Sequence, residues 1–124
     1  MLAFALKDVI GRVYTSEVFS CDKEDCDITD IASIDKVFKK FQPDFVLNCA
    51  AFTAVDKAER EKEMAMSVNA QGVANLAEAC AENGSTLVHF STDYVFDGFK
   101  KSYDEDDARN PINLYGLSKA EGEK

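Results

Sequence analysis

One histidine, His89, and no Cys-x-x-Cys pair occur in the 124 residues, so zinc finds none of its usual ligand spacings. The four cysteines, Cys21, Cys26, Cys49 and Cys80, read instead as free thiols of a reducing cytoplasm. No apolar run reaches the ~20 residues of a membrane span, and no secretory leader precedes the first helix-like segment. Basic clusters are missing as well. Lys and Arg number 14 against 23 Asp and Glu, and the net charge of −9 excludes a phosphate-binding surface of the nucleic-acid type while favouring solubility. Internal repeats, low-complexity tracts and linkers rich in Gly, Pro or Ser are absent, and 46% hydrophobic with 30% charged residues describes one globular domain with its own core.

The periodicities that are present alternate between two kinds. MLAFALKDVI is the body of a helix without an N-cap, apolar from its first residue and expected to stop at Gly11. EVFSC (17–21) reads as a short buried strand. TDIASIDKVFKKFQP opens on the capping residues Thr29 and Asp30, places Ile31, Ile34, Val37, Phe38 and Phe41 on one stripe, and ends before Pro43. DFVLNCA is an apolar run of strand length. A long helical pattern follows from about Ala58 to Glu82, with Asn83-Gly84 as its stop signal. TLVHFS is the next strand, residues 93–113 are loop-like, and a last helix carries Tyr115 and Lys119. Strands alternating with helices imply parallel βαβ units and an α/β sheet covered on both faces.

Ligands of such sheets bind beyond the carboxyl ends of the strands. CDKEDCDI, NCAAFTAVD and STDYVFDG stand at those ends. Ala50 and Ala51 let a flat ligand approach the backbone, or form a tight turn. Ser91, Thr92 and Asp93 offer two hydroxyls and a carboxylate to a substrate carbonyl, or cap a turn. Asn69, among Met66, Val68 and Val73, either holds a water or carbonyl near the site or faces solvent. His89 reads as a packed or partly exposed strand residue, and the acidic run 104–107 as a solvated loop. Tyr115 and Lys119, at i and i+4, share a helix face. A free tyrosine keeps its proton to about pH 10, and a neighbouring cation stabilises the phenolate, which makes the pair a candidate proton donor.

NCAAFTAVDKAE, VNAQGVANLAEAC, LVHFSTDYVFDG and NPINLYGLSKAEGEK, in this order and spacing, resemble the dTDP-4-dehydrorhamnose reductase family of the extended short-chain dehydrogenase/reductase superfamily, through essentially the whole of residues 1–124. The resemblance implies reduction of a 4-keto nucleotide sugar with NADPH or NADH. By it, Tyr115 donates the proton to the carbonyl oxygen, Lys119 holds the nicotinamide ribose and favours the tyrosinate, Thr92 is the catalytic hydroxyl, and Asp93 contacts the substrate. Ala51, Phe52 and Thr53, next to Ala50, line the cofactor, and Asp27 with Ile28 lie beside the adenine. Asp22 matches the acidic residue on the adenosine ribose, which leans to NAD, whereas Lys23 suits a 2′-phosphate.

The family opens on a strand and a glycine-rich turn that puts the pyrophosphate on a helix N-terminus. Here Met1 and Leu2 fall just after its second glycine and Ala3 takes the last position. The expected architecture is therefore an incomplete Rossmann-like, doubly wound parallel sheet, a partial NAD(P)-binding domain over 1–124 without the substrate domain. With the first strand missing, EVFSC and DFVLNC are expected to leave a gap or to close up, giving weak stability and no turnover by these residues alone. The resemblance also implies homodimers of the full-length protein. The alternatives are a non-catalytic regulatory subunit of the methionine adenosyltransferase type, which the composition of FTAVDKAE disfavours, and a related nucleotide-sugar reductase or epimerase.

Overall fold

The computed structural model describes residues 2–13 and 17–124. Its elements are α1 (Leu2–Val13), α2 (Ile31–Phe41), β1 (Phe45–Asn48), α3 (Val55–Ala58), α4 (Lys62–Met66), a π-helical turn (Ser67–Gln71), α5 (Gly72–Asn83), β2 (Thr86–His89), a 3-10 turn (Asp93–Val95) and α6 (Leu114–Gly122). β1 and β2 pair in parallel with Phe45 opposite Thr86 and Asn48 opposite His89. Among the described residues no helix is long and apolar enough to cross a membrane.

α2 follows its sequence signals closely. Asp30 is the N-cap and accepts from Ala32 N at 3.0 Å, satisfying a helix-start amide that would otherwise lack a partner. Ile34 and Phe38 are buried against Leu76, Ala79 and Cys80 of α5, with Ile28, Val46 and Leu87 completing the cluster. Burying side chains of this size contributes about 1.5–3 kcal/mol each. Ile31, on the expected stripe, is exposed instead. α5 ends as its Asn-Gly signal requires, with Gly84 in the left-handed region at φ 70°.

Four expectations are corrected. Glu17–Cys21 is not a strand, because no described segment offers it a ladder; it is mostly exposed, and the Phe19 ring stacks on Phe41 at 3.6 Å. Of the two outcomes expected there, closing up with β1 does not occur, and among the described residues the doubly wound sheet is reduced to two strands. α1 runs through Gly11 to Val13, since glycine weakens a helix by only ~1 kcal/mol. The pattern from Ala58 to Glu82 is divided between α3, α4, the π-turn and α5, with a break at Glu59–Glu61. Lastly, the acidic run is not wholly solvated: Asp107 is half-buried and pairs with Lys100.

Among the described residues the sheet is covered on one face only. Val46 and Leu87 pack on the α2–α5 cluster, whereas Phe45, Leu47 and Val88 point away and are exposed. α1 buries none of its side chains.

Candidate active site

β1 and β2 end side by side at Asn48 and His89, and the loops leaving both strands converge on α6. Asn113 caps α6, accepting from Gly116 N at 2.7 Å, and the helix packs against the π-turn, the 3-10 turn, α3 and α4. Two glycines allow that closeness. A Cβ on Gly116 would collide with the Tyr94 carbonyl oxygen, and one on Gly122 with the Asn69 carbonyl oxygen. Neither was singled out from the sequence, where a helical glycine gives no sign of what faces it.

Asn69 joins the loop after β1 to α6. It is 1% exposed; its Oδ1 accepts from Phe52 N at 2.8 Å, and its Nδ2 donates to Phe52 O at 3.0 Å and Ser118 Oγ at 2.9 Å. Ser118 Oγ in turn donates to Tyr115 O at 2.7 Å. Of the two readings left open for Asn69, the structure selects the one that binds backbone. The π-turn explains how: its extra residue per turn re-aims a side chain that regular helix would place elsewhere.

Tyr115 is 9% exposed and lies with Ala58 and Ala65, flanked by Phe52, Val55 and Leu114. Its ring meets the Tyr94 ring edge-on, centroids 5.6 Å apart. That contact ties α6 to the 3-10 turn, whose N-cap is Thr92: Thr92 Oγ1 accepts from Tyr94 N at 3.3 Å and donates to Asp93 Oδ1 at 3.2 Å. Asp93 is exposed and borders a hollow of about 270 Å³ also lined by Tyr94, Phe96, Tyr103 and Asn113.

Lys119 is 2% exposed. Its Nζ donates to Phe90 O at 2.5 Å and lies 3.1 Å from His89 Nε2. The other ring nitrogen, Nδ1, is 3.1 Å from Asn48 Nδ2, and Asn48 Oδ1 accepts from Ala50 N at 3.0 Å. Burial pushes the lysine pKa below its ordinary value, against the pull of Glu123. His89 is lowered too, chiefly by burial. The sequence reading gave His89 and Asn48 no part in a site; a lone histidine in an alternating strand carries no mark of what will face it across the sheet.

Ala50 is exposed, Ala51 and Phe52 are half-buried, and Thr53 is exposed, so the loop held by Asn69 keeps an open side. Asp27 and Ile28 are fixed differently. Ile28 sits in the core and its carbonyl accepts from Asn75 Nδ2 at 3.0 Å. Asp27 Oδ1 accepts from Thr29 Oγ1 at 2.7 Å and Thr29 N at 2.9 Å, bonds that hold its carboxyl below the usual range. Asp22 is exposed, with Oδ1 accepting from Glu24 N at 2.9 Å, and Lys23 Nζ lies 3.5 Å from Asp27 Oδ2. None of the four cysteines is in a disulfide, and Cys26 is pushed up to about 11 by burial and by its neighbour Cys21.

Over residues 2–124 the chain matches the RmlD substrate binding domain. It is 46% identical over 109 residues to a dTDP-4-dehydrorhamnose reductase of Aggregatibacter actinomycetemcomitans, covering 87% of this chain and 37% of that relative. It is also 46% identical over 99 residues to methionine adenosyltransferase 2 subunit beta of Danio rerio, covering 80% of this chain and 30% of the relative. Among solved structures, a dTDP-4-dehydrorhamnose reductase from Bacillus anthracis in complex with NADP superposes with a TM-score of 0.92 at 40% identity, over 98% of this chain and 43% of that one. The chain therefore spans less than half the length of each of these relatives.

Proposed function

The chain belongs to the RmlD substrate binding domain family, and on that premise we propose that it carries the catalytic helix and part of the cofactor-binding face of an NAD(P)H-dependent reductase of 4-keto nucleotide sugars. Residues 1–124 are read as a partial NAD(P)-binding domain. The observation that carries the proposal is the placement of Tyr115 and Lys119 on one helix, bonded through Ser118 and Asn69 to the loop after β1 and through His89 to the end of β2.

The residues present suit a nicotinamide nucleotide at the α6 end of the site. The loop 50–53 is pinned by both backbone atoms of Phe52, leaving small or exposed residues, Ala50, Ala51 and Thr53, for close approach by a planar group. Lys119 has two partners for its nitrogen and room in its valence for a third, which suits a ribose hydroxyl. Asp27 and Ile28 offer a carboxylate edge and a backbone for the adenine side, and Asp22 an exposed carboxylate for the adenosine ribose. Lys23 beside it serves a 2′-phosphate, so both NADPH and NADH remain in the reading. When bound, the nicotinamide supplies the hydride. Tyr115 then holds the proton destined for the substrate oxygen, Thr92 hydrogen-bonds that oxygen, and Asp93 orients the sugar at the border of its hollow.

The test is Tyr115→Phe in the full-length protein. Loss of the proton donor is expected to lower reduction of a 4-keto nucleotide sugar by about 10²–10⁴-fold, with NADPH affinity nearly unchanged. Retained turnover removes Tyr115 from the role. A second reading, a non-catalytic subunit that binds an adenosyltransferase, is favoured by the comparable identity to the Danio rerio subunit. Tight co-purification with an adenosyltransferase catalytic subunit, with no sugar reduction by the unaltered protein, decides for it.

A further inference from the structure

The bonds that run from Ala50 to Phe90 through Asn48, His89 and Lys119 have a fixed sense of donation, and that sense determines how many protons the lysine holds. At one end the Ala50 amide only donates, to Asn48 Oδ1. This commits Asn48 Nδ2 to donate, and its partner is His89 Nδ1. An imidazole nitrogen that accepts bears no proton, so the proton of the neutral ring sits on Nε2. Nε2 faces Lys119 Nζ at 3.1 Å. An N–H aimed at that nitrogen needs a lone pair, which an amine has and an ammonium lacks. At the far end Phe90 O only accepts, from Nζ.

We propose that, while this run of bonds is intact, Lys119 is an uncharged amine accepting from His89 Nε2, and that protonating it breaks the link from Asn48 to His89 or to Ala50. His89 is thus a positioning residue that sets the protonation of Lys119 and couples it to the loop beginning at Ala50. Protonation at Nζ requires the ring to move its proton from Nε2 to Nδ1. That puts an N–H against Asn48 Nδ2; turning the amide to accept it then sets two donors against each other at Ala50. Either way one buried bond is lost, a penalty that disfavours the ammonium. A ligand oxygen that accepts from Nζ stabilises the charged form instead, so the charge on Lys119 appears together with the ligand. In its ligand step the inference rests on the reductase reading; the proton order does not.

The surroundings agree with a low proton affinity. Lys119 is nearly fully buried, and burial penalises its charge. Glu123 favours the charged form but is itself engaged by Ser91 Oγ and, at 2.6 Å, by Arg109 Nη1. The remaining charged groups on elements packed against α6 are Asp56 and Lys57 of α3, Lys62 and Glu63 of α4 and Asp93 of the 3-10 turn, all exposed. Glu78 and Glu82, on the α5 helix behind β2, are exposed as well. Cys49, next to Asn48, has its thiol pushed up by burial and stays neutral. Tyr115 stands one turn before the lysine.

Nitrogen NMR of residues 1–124 at neutral pH tests the proposal directly, because His89 is the one histidine among them. The expected result is the limiting pattern of a ring protonated at Nε2 alone. An Nδ1-protonated, imidazolium or tautomer-averaged pattern overturns it. Asn48→Asp supplies the second arm, since a carboxylate accepts from both Ala50 N and His89 Nδ1. The tautomer is then expected to switch and the Lys119 amine, identified by its absence in Lys119→Met, to titrate at higher pH than in the unaltered chain. A folded Asn48→Asp protein with the tautomer unchanged refutes the coupling, and if that variant does not fold, the unaltered chain decides alone. Failure to bind NADPH leaves this result intact, and the wrong tautomer leaves the reductase reading intact.

Discussion

Asn69 and Ser118, 49 residues apart in sequence, share a buried hydrogen bond of 2.9 Å. The bond is one of three that the Asn69 side chain makes, the other two going to the backbone of Phe52. Fold and site therefore depend on the same amide. A polar side chain that is 1% exposed stabilises the protein only while all its partners are made, and removing it strands them away from water.

Asn69→Ala is accordingly expected to destabilise the chain by about 1–3 kcal/mol, the usual cost of leaving a buried amide without a partner. Urea unfolding gives the number. A shift in midpoint near zero would mean that Phe52 N finds another acceptor and that the loop is not held by Asn69.

The close approach of α6 gives a sharper contrast between two identical substitutions. Gly122→Ala drives a methyl into the Asn69 carbonyl oxygen, and neither backbone can yield without moving a helix, so a loss of about 1–3 kcal/mol is expected. Gly11→Ala sits in α1 with nothing within 4 Å of the new carbon. There the better helix propensity of alanine should raise stability by roughly 0.5–1 kcal/mol. Thermal unfolding of the two variants should move in opposite directions. A neutral Gly122→Ala would show that the helices are farther apart than described.

The contrast also marks where the sequence was readable. Asp30, Gly84 and the apolar spacing of Ile34 and Phe38 are local signals, and the structure follows them because a cap or a stripe needs only its own neighbourhood. Tyr115 and Lys119 were legible for the same reason, four residues apart on one helix. Glu17–Cys21 was misread because strand character depends on a partner, and apolar residues without a ladder stack locally, as Phe19 does on Phe41. The roles of Asn48 and His89 were invisible since their meeting is set by sheet register across 41 residues, which no periodicity within either strand encodes. Gly116 and Gly122 likewise gain their meaning from what faces them.

His89 finally links the site to pH. Its folded pKa is depressed, chiefly by burial, whereas an unfolded histidine titrates near ~6.5. Below that value the unfolded chain takes up a proton that the folded chain resists, so stability falls as pH drops through the window beginning near ~6.5 and stops falling once the folded ring titrates. Lys119 acts in the same sense at the alkaline end: its folded pKa is lowered, so the unfolded chain binds the extra proton as pH descends from about 10.4. In His89→Asn the acid-side slope between roughly pH 6.5 and pH 5 should flatten, whatever that substitution does to the overall level. Carboxylates such as Asp27, held below their usual range by Thr29, lose their contribution only further down, as pH falls through their own lowered values. Urea midpoints taken every half pH unit separate the two. An unchanged slope in His89→Asn would assign the acid sensitivity to the carboxylates and remove His89 as the proton-linked group.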